Sequence, residues 1–231
     1  MIPPRGVLVV FAKVPRPGEV KTRMCPPLSH LEAAELYASM LADVLETSAR
    51  ATRRLGIAPV LALHPAEQGR ALPFEVPTPF RVVAQRGPHL SARMSWALRE
   101  TAAGGASRIL LRGSDSPALD EEAIAAALDA LAHCDVVLRP DLDGGYNLVG
   151  LRVATSAIFD HPMSTGRVLE DTLLRARGLG LATEVAAPGF DLDTIDDLRW
   201  LARERDSAAR SCARTLDFID RRGLWSRAPA S

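Results

Sequence analysis

Residues 7–24 read VLVVFAKVPRPGEVKTRM, and this stretch decides the fold. The apolar run at its start is continuous rather than alternating, which is typical of a strand that is buried on both faces of a parallel sheet. The run stops at Lys13, and a turn containing Pro15, Pro17 and Gly18 follows. We interpret the stretch as the first strand of a β-α unit together with the loop that leaves its carboxyl end.

The rest of the chain alternates short apolar runs with longer helical patterns. A capping box of Ser29 and Glu32 opens the first predicted helix, and Asp120 caps a later one. This alternation predicts an α/β fold, a three-layer α/β/α sandwich with a mostly parallel central sheet. The other strands are predicted at residues 59–63, 81–84, 109–111, 136–138 and 148–151, and the other helices at residues 90–101, 120–132 and 168–177 and from Thr194 onward.

The composition excludes several classes of protein. A chain of 231 residues that is 47% apolar can bury a full core, and we expect a main domain over residues 1–205 with a C-terminal helix and tail over residues 206–231. The 28 basic side chains balance 28 acidic ones, which favours neither a nucleic-acid partner nor a membrane surface. The three cysteines are widely separated and the first apolar run is too short for a signal peptide, so we expect a soluble cytoplasmic protein, a monomer or a homodimer.

Both lysines of the chain lie in the opening stretch, at Lys13 and Lys21, and every other basic residue is an arginine. Lysine supplies a compact, freely rotating point charge that can sit on a phosphate oxygen. Residues 1–25 hold five basic side chains against one acid, Glu19. With Arg23, the two lysines predict a loop that binds an anion, most suitably a polyphosphate. Chance clustering on a solvated loop is the alternative.

Two carboxylates that lie in turns are candidates for holding a metal ion. Asp115 follows the strand at residues 109–111, and Asp193 precedes the helix that begins at Thr194. Mg²⁺ takes one or two carboxylates and completes its octahedron with phosphate oxygens and water. Each has a structural alternative. Asp115 can cap a turn, and Thr194 with Asp197 is predicted to cap a helix, which leaves Asp193 just outside the cap.

A third polar segment, residues 141–147 with the sequence DLDGGYN, follows the strand at 136–138. Its two glycines allow a ligand to approach the backbone, and Asn147 can both donate and accept hydrogen bonds. The turn of a β-hairpin is the alternative. Ligands of open α/β sheets bind at the carboxyl ends of the strands, so we expect the three polar segments to share one site.

Taken in order, these motifs resemble a known family. The motifs FAKVPRPGEVKTRM, GSDSPAL, DGGYNLVGL, ST and DLDTIDDL extend over about residues 7–200. Together they resemble the transferase family associated with radical-SAM and selenodomain proteins, which has a glycosyltransferase-A-like (Rossmann-like) fold and is described as nucleotide-diphospho-sugar transferases. The sequence TRM at residues 22–24 is similar to the core of sugar-phosphate nucleotidylyltransferases. Lys13 and Lys21 combined with Gln85, Gly87 and Arg93 are similar to phospholactate guanylyltransferases.

The resemblance implies roles for individual residues. It implies that Lys13, Lys21, Arg23 and Asp115 are catalytic and that Asp115 and Asp193 hold Mg²⁺ or Mn²⁺. It implies nucleotide contacts by Phe11, Ala12, Lys13, Gly18, Lys21, Thr22, Arg23, Gln85, Gly87, Arg93 and Ser114. It also implies that the acceptor lies against Asp143, Gly144, Gly145, Tyr146, Asn147, Ser164 and Thr165.

Two departures from the family patterns bear on the site. In nucleotidylyltransferases a glycine precedes the Thr-Arg-Met core, whereas this chain has Lys21, so side-chain charge replaces part of the backbone cradle. The related transferases tend to carry a tryptophan before Ser-Thr, whereas this chain has Met163. The pocket for the acceptor is therefore the part that the resemblance predicts least.

We expect a metal-dependent transferase that moves a nucleotidyl group from an NTP to a small anionic acceptor and releases pyrophosphate. The three cations of the first loop favour a triphosphate. A glycosyltransferase that moves a sugar from an NDP-sugar is the alternative, and the usual description of the family favours it. A nucleotide-binding sensor without turnover is a third possibility, against which the presence of both Asp115 and Asp193 counts.

Overall fold

The computed structural model describes residues 6–65, 72–152, 155–163 and 165–227. Its centre is a seven-stranded sheet with the strand order β3-β2-β1-β4-β6-β5-β7. The strands are β1 Gly6–Lys13, β2 Ala58–His64, β3 Arg81–Ala84, β4 Arg108–Gly113, β5 Val136–Pro140, β6 Tyr146–Leu151 and β7 Thr183–Val185.

Most of the sheet is parallel, as the sequence predicts. β1 lies between β2 and β4 and runs parallel to both, β3 runs parallel to β2, and β7 runs parallel to β5. β6 is the exception, because it is antiparallel to both β4 and β5. Only residues 141–145 separate β5 from β6, which is too short for a parallel crossover and long enough for a hairpin. The DLDGGYN segment is therefore the turn of a hairpin, the alternative interpretation of its sequence.

Helices cover both faces of the sheet. Alternate residues of β1 belong to different cores. Val7 and Val9 pack in the cluster that contains Met94 of α2, whereas Val10 packs with Leu41 of α1. This double burial explains why the strand sequence is apolar without alternation. The helices are α1 His30–Leu55, α2 Leu90–Ala103, α3 Glu121–Ala130, α4 Val168–Gly178, α5 Leu198–Arg203, α6 Arg205–Ala208 and α7 Ala213–Arg221.

The helix boundaries follow local sequence signals closely. Ser29 and Glu32 form the predicted capping box of α1, and the side chain of Asp120 accepts a hydrogen bond from the backbone nitrogen of Ala123 in α3. The predicted cap at Thr194 is also confirmed, because the carboxylate of Asp197 accepts from the backbone nitrogen of Thr194 at 2.7 Å and from its hydroxyl at 2.9 Å. In the described part of the chain, no helix is both long and apolar enough to cross a membrane.

Several short elements were not predicted, among them β7 and the 3-10 turn after the first loop. β7 has only three residues, one of them Glu184, and it is partly exposed. Its sequence therefore lacks the apolar run that marks the other strands. A turn of 3-10 helix at Thr22–Met24 follows the first loop. It begins directly after Lys21, whose backbone is left-handed with φ 47°. A lysine in this conformation is uncommon, and it turns the chain so that residues 21 and 23 face the same edge of the sheet.

The C-terminal segment packs against α1. Leu216 and Ile219 of α7 share a core cluster with Leu36 and Met40 of α1. The carboxylate of Asp43, which is only 2% exposed, accepts hydrogen bonds at the first turn of α7 from the backbone nitrogens of Arg214 and Thr215 at 3.1 and 2.8 Å and from the hydroxyl of Thr215 at 2.7 Å. A side chain on α1 thus caps α7.

We predict that Asp43→Ala destabilises the protein. Three donors at the start of α7 lose their acceptor, and unsatisfied buried donors cost about 1–3 kcal/mol. Asp43→Asn should cost less, because one amide oxygen still accepts and burial already raises the pKa of the Asp43 carboxyl. Denaturant unfolding measures both free energies. Glu122→Gln, which removes an exposed ion pair with Arg54, is the control that should leave the midpoint unchanged. An Asp43→Ala midpoint equal to the wild type would contradict this assignment.

Candidate functional site

The predicted polar segments meet at one edge of the sheet. β1 ends at Lys13 and β4 ends at Gly113, and both strands run in the same direction. β6 is antiparallel to β4, so its beginning at Tyr146 lies at that same edge. The carboxyl edge of a mostly parallel sheet is where an open α/β fold binds its ligands.

Lys21 joins the N-terminal loop to two carboxylates that are distant in sequence. Its ammonium nitrogen forms a short contact with Oδ1 of Asp115 and lies 2.8 Å from Oδ1 of Asp193. The side chain of Lys21 is only 3% exposed, whereas those of Asp115 and Asp193 are 42% and 34% exposed. Arg23 is more exposed and lies 3.4 Å from Oδ2 of Asp193. The structure therefore brings together Lys21, Arg23, Asp115 and Asp193, all of which the sequence singles out.

The charges of this cluster stabilise one another. Burial alone would lower the pKa of Lys21, but the charges of Asp115 and Asp193 and their hydrogen bonds raise it above its usual value. Burial alone would raise the pKa of the Asp193 carboxyl. The positive charges of Lys21 and Arg23 outweigh this effect, so the pKa lies below its usual value. Lys21 is thus a permanent cation that neutralises carboxylates in a partly desolvated place.

Tyr37 is a site residue that the sequence analysis missed. It lies on the buried face of α1 and is 2% exposed, which is typical of a core residue. Its hydroxyl lies 2.7 Å from the hydroxyl of Ser114 and accepts a hydrogen bond from the backbone nitrogen of Lys13 at 2.9 Å. It fixes the ends of β1 and β4 relative to each other. The available signal was the phenol itself, because a buried tyrosine hydroxyl needs a partner.

The site has two lobes that share a border. The first, of about 530 Å³, we call the basic lobe. Of the residues implied to bind nucleotide, Gly18 and Gly87 do not line it, and Gln85 donates its amide hydrogens to the carbonyls of Ala12 and Ala62 at 3.1 and 2.9 Å. The basic lobe is lined by Phe11, Ala12, Lys13, Glu19, Val20, Lys21, Thr22, Arg23, Tyr37, His64, Gln85, Leu90, Arg93, Gly113, Ser114, Asp115 and Asp193.

The basic lobe contains a buried guanidinium donor whose hydrogen-bonding capacity is unused. Nε of Arg93 is buried and, among the described residues, makes no hydrogen bond. Buried donors are normally satisfied, so an orphaned guanidinium nitrogen in a cavity rich in cations indicates a place for an anion. The basic lobe thus combines Lys13, Lys21, Arg23 and Arg93.

The second lobe, of about 490 Å³, we call the acidic lobe. Of the residues implied to face the acceptor, Asp143, Gly145, Tyr146, Asn147 and Thr165 line it, and Ser164 lies outside the described residues. The acidic lobe is lined by Phe11, Arg23, Leu90, Met94, Leu111, Arg112, Gly113, Asp141, Asp143, Gly145, Tyr146, Asn147, Val149, Met163, Thr165, Gly166, Val168, Asp191 and Asp193.

Gly144 shapes the hairpin turn rather than the lobe surface. Its φ is +87°, and a Cβ at this position would lie 2.1 Å from the carbonyl oxygen of Gly166. Its own carbonyl accepts a hydrogen bond from Leu169 at 2.9 Å. The glycine therefore allows the hairpin to pack directly on the segment that leads into α4.

Carboxylates crowd the acidic lobe. Oδ1 of Asp141 accepts from the backbone nitrogen of Asp191 at 3.0 Å, and the hydroxyl of Ser116 makes a short contact with Asp191. Burial and the nearby charge of Asp143 raise the pKa of Asp141 to about 6. Burial and the charges of Asp115 and Asp141 raise the pKa of Asp191 well above its usual value. The structure thus places Asp191 in the wall of the acidic lobe.

Two arginines support the wall of the acidic lobe. Arg112 is 1% exposed and donates to the carbonyl of Ser116 at 2.9 Å and to the hydroxyl of Ser48 at 3.2 Å. Burial and the nearby Arg139 lower its pKa to about 9. Arg139 donates to Oδ1 of Asn147 at 2.8 Å. Both guanidinium groups hold the walls of the site in place.

The residues present fit a divalent cation only together with a ligand. Asp115 and Asp193 contact one and the same ammonium, so a cation can lie between them. Over residues 6–65, 72–152, 155–163 and 165–227, no group of three or more His, Cys, Asp or Glu side chains is arranged to hold a metal ion. Two carboxylates suffice for Mg²⁺ when phosphate oxygens and water complete its shell. Lys21 would then have to move away from both carboxylates.

Comparisons with known proteins agree with this architecture. The chain is 32% identical over 124 residues to a phosphoenolpyruvate guanylyltransferase from Chloroflexus aggregans, a match that spans 52% of this chain and 60% of the relative. A structure from Desulfovibrio desulfuricans G20, provisionally described as a nucleotide-diphospho-sugar transferase, is 28% identical with a TM-score of 0.86 and covers 99% of this chain and 100% of its own.

A more distant neighbour bears on the fold alone. The 4-diphosphocytidyl-2C-methyl-D-erythritol synthase from Anaerococcus prevotii is 10% identical, has a TM-score of 0.52 and covers 87% of this chain and 96% of its own. These similarities confirm the predicted fold and its resemblance to nucleotide-diphospho-sugar transferases and guanylyltransferases. The association with radical-SAM and selenodomain proteins stays a prediction.

A family signature covers the middle of the chain. It matches residues 47–165, which include β2 to β6 and slightly more than half of the sequence. The matched part contains Asp115 and the hairpin at residues 141–145, and it leaves out Lys21 and Asp193. The chain therefore belongs to the family described as an uncharacterized protein conserved in bacteria (DUF2064).

Proposed function

We propose that the protein is a nucleotidylyltransferase that binds an NTP in the basic lobe and an acceptor in the acidic lobe. The observation that carries this proposal is the cluster of Lys21, Asp115 and Asp193 at the border between the lobes. A cation and two carboxylates there suit a triphosphate that is cleaved beside the acceptor. The cationic lining of the basic lobe supports a ligand with several phosphates.

The proposed reaction needs no nucleophile from the protein. An oxygen of the acceptor attacks the α-phosphorus of the NTP, and the bond from that phosphorus to the oxygen bridging to the β-phosphate breaks. Lys13 and Arg93 would hold the phosphates that leave as pyrophosphate, and Arg23 would hold the acceptor side. Asp115 and Asp193 would hold Mg²⁺ or Mn²⁺, which neutralises charge on the phosphates when it is bound. Charged side chains that are already in place in a partly desolvated cavity stabilise the negative charge that develops on the phosphates, because they do not have to reorient during the reaction.

Glycosyl transfer from an NDP-sugar is the second candidate. The full-length similarity to a protein described as a nucleotide-diphospho-sugar transferase favours it, whereas the guanylyltransferase relative favours nucleotidylyl transfer over the part it matches. In the glycosyl reaction the basic lobe would hold the departing diphosphate. The same residues serve both reactions, so the products decide between them.

An assay with separate substrates tests the proposal. The four NTPs and a set of NDP-sugars are supplied separately with Mg²⁺ and a panel of acceptors, and pyrophosphate and free NDP are measured. We expect pyrophosphate that depends on both NTP and acceptor. Release of NDP from NDP-sugars without any pyrophosphate from NTPs would establish the glycosyl reaction instead.

We predict that Asp115→Ala and Asp115→Asn each lower turnover by roughly two orders of magnitude or more, because a charge at the reacting phosphates is lost. Circular dichroism should match the wild type, because Asp115 belongs to none of the hydrophobic clusters of the described residues and Lys21 keeps Asp193 as a partner. Asp129→Ala, which changes an exposed aspartate of α3, is the matched control. Unchanged turnover in the Asp115 variants would remove this residue from the site.

We predict that Lys21→Ala weakens nucleotide binding by about 1.5–3 kcal/mol, the scale of a charge-assisted hydrogen bond. Without the ammonium, two uncompensated carboxylates face the phosphates. Isothermal titration with NTP measures the change, and Arg16→Ala in the same loop, whose side chain does not line the basic lobe, is the control. A wild-type affinity in Lys21→Ala would refute the role of this loop.

We also predict that Lys21→Ala binds Mn²⁺ more tightly than the wild type when no nucleotide is present. The ammonium competes with a cation for Asp115 and Asp193, and the alanine removes the competitor. Electron paramagnetic resonance of free Mn²⁺ measures the binding. Adding Asp193→Asn to the variant should abolish the gain. A gain that survives this second change would mean that other residues bind the ion.

A further inference from the structure

We propose that the acidic lobe binds the body of the acceptor and that this body is neutral and rich in hydroxyl groups. The acceptor would then be a phosphorylated sugar or polyol rather than a phosphorylated carboxylic acid. The inference rests on the proposed function, in which the acceptor lies beside the triphosphate. It concerns the part of the acceptor that lies beyond its reacting phosphate.

The first observation is an unused donor in the wall of the acidic lobe. Asn147 is 3% exposed, and its amide oxygen is taken by Arg139 at 2.8 Å. Its amide nitrogen is buried and has no hydrogen-bond partner among the described residues. Because Arg139 fixes the oxygen, the amide cannot flip, and the nitrogen must remain a donor. A ligand in the lobe would have to offer this nitrogen an acceptor, either the oxygen of a neutral hydroxyl or the oxygen of a charged carboxylate.

The second observation decides between those oxygens. Asp141, Asp143 and Asp191 line the acidic lobe in addition to Asp193 at its border. Carboxylates accept hydrogen bonds and repel anions, so they suit hydroxyl groups, which donate. One hydroxyl can donate to a carboxylate and accept from the Asn147 amide. A ligand carboxylate could use only the amide and would lie among like charges.

The cations near the acidic lobe do not change this balance. Arg112 lines it, but its guanidinium is buried and donates to Ser116 and Ser48. Arg139 is directed to Asn147. Arg23 is the exposed cation, with a side chain that is 67% exposed, and it lies at the border that both lobes share. It suits the reacting phosphate of the acceptor rather than a group deeper in the lobe.

The remaining lining and the size of the lobe fit the same class of ligand. Phe11, Tyr146 and Met163 supply apolar surface against which the carbon face of a sugar ring can pack. The volume of about 490 Å³ lies within the range of about 300–1,000 Å³ that is usual for small-molecule sites. A sugar ring can pack its carbon face against the apolar side chains and donate from its hydroxyl groups to the carboxylates.

The chemistry balances without a proton acceptor from the protein. An ionised phosphate oxygen of the acceptor forms the bond to the α-phosphorus, and the bond to the bridging oxygen breaks with its electron pair leaving on pyrophosphate. No proton is transferred. The product is a nucleoside diphosphate that carries the neutral hydroxylated group. The relative from Chloroflexus aggregans is named for phosphoenolpyruvate, which carries a carboxylate beside its phosphate, so the two proteins would differ in the acceptor.

Turnover with matched acceptors is the first test. Each NTP is supplied with Mg²⁺ and either hexose 1-phosphates or phosphoenolpyruvate and phospholactate, and pyrophosphate is measured. The inference expects pyrophosphate with a hexose phosphate and none above background with the carboxylic acids. Turnover with the carboxylic acids alone would overturn the inference and leave nucleotidylyl transfer standing.

Binding of matched products is the second test, and it does not require the right hexose. UDP-glucose and UDP-glucuronate differ only in a hydroxymethyl group replaced by a carboxylate, and GDP-mannose and GDP-mannuronate form a second pair. The neutral member should bind roughly tenfold tighter or more, the effect of one charged group placed among carboxylates. Equal or reversed affinities in both pairs would refute the inference.

Variants connect the preference to named residues. In the wild type, the backbone nitrogen of Gly145 donates to Oδ1 of Asp143 at 2.9 Å. Asp143→Asn keeps an oxygen for this hydrogen bond and removes one negative charge, so the ratio of affinities for the neutral and the charged sugar should fall. Asn147→Asp keeps an acceptor for Arg139 and removes the free donor, so binding of the neutral sugar should weaken while binding of UDP and GDP stays unchanged. Leu142→Ala, an exposed residue of the same turn that does not line the acidic lobe, is the control.

Binding of nucleoside diphosphates distinguishes a failure of the proposed function from a failure of the inference about the acceptor. UDP, GDP, CDP and ADP alone test the basic lobe. If none of the four binds, the proposed function fails and the inference fails with it. If they bind while the variants of Asp143 and Asn147 leave every sugar affinity unchanged, the inference alone is overturned.

Discussion

The ammonium of Lys21, held between the carboxylates of Asp115 and Asp193, is the interaction on which the site depends. It joins three parts of the chain separated by 94 and 172 residues at the border between the two lobes. Two carboxylates this close would repel each other without a cation between them. The contacts of Lys21 with Asp115 and Asp193 also account for its unusual backbone. They offset the cost of the left-handed conformation at φ 47°.

The two lobes divide the work of the site by charge. The basic lobe gathers Lys13, Lys21, Arg23 and Arg93, and the acidic lobe gathers Asp141, Asp143 and Asp191. The end of β1, the N-terminal loop and the start of α2 supply the first set, whereas the β5–β6 hairpin and the segment before α5 supply the second. A substrate that is polyanionic at one end and neutral at the other fits this division better than one that is anionic throughout.

Local signals were enough to predict most of the elements. Continuous apolar runs mark strands buried on both faces, and the capping residues Ser29 and Asp120 mark where helices begin. The residues of the border cluster were also predictable, because rare lysines and turn carboxylates stand out in the sequence. The short strand β7 and the role of Tyr37 were not, since neither differs locally from an irregular segment or a core residue. The hairpin between β5 and β6 confirms the interpretation of its sequence as a turn. Its residues also line the acidic lobe, whereas their contact with a ligand stays a prediction.

By itself the sequence determined the layered sheet and the residues that gather at its carboxyl edge, because apolar periodicity, caps and turn residues act over a few positions. Only the tertiary structure decided how these residues are paired. Lys21 contacts two carboxylates, and Gln85 donates to backbone carbonyls. Asn147 lines the acidic lobe, and its amide nitrogen has no partner among the described residues. The reason is physical. Charge and hydrogen bonding depend on distances between residues far apart in the chain, and those distances exist only once the sheet has formed.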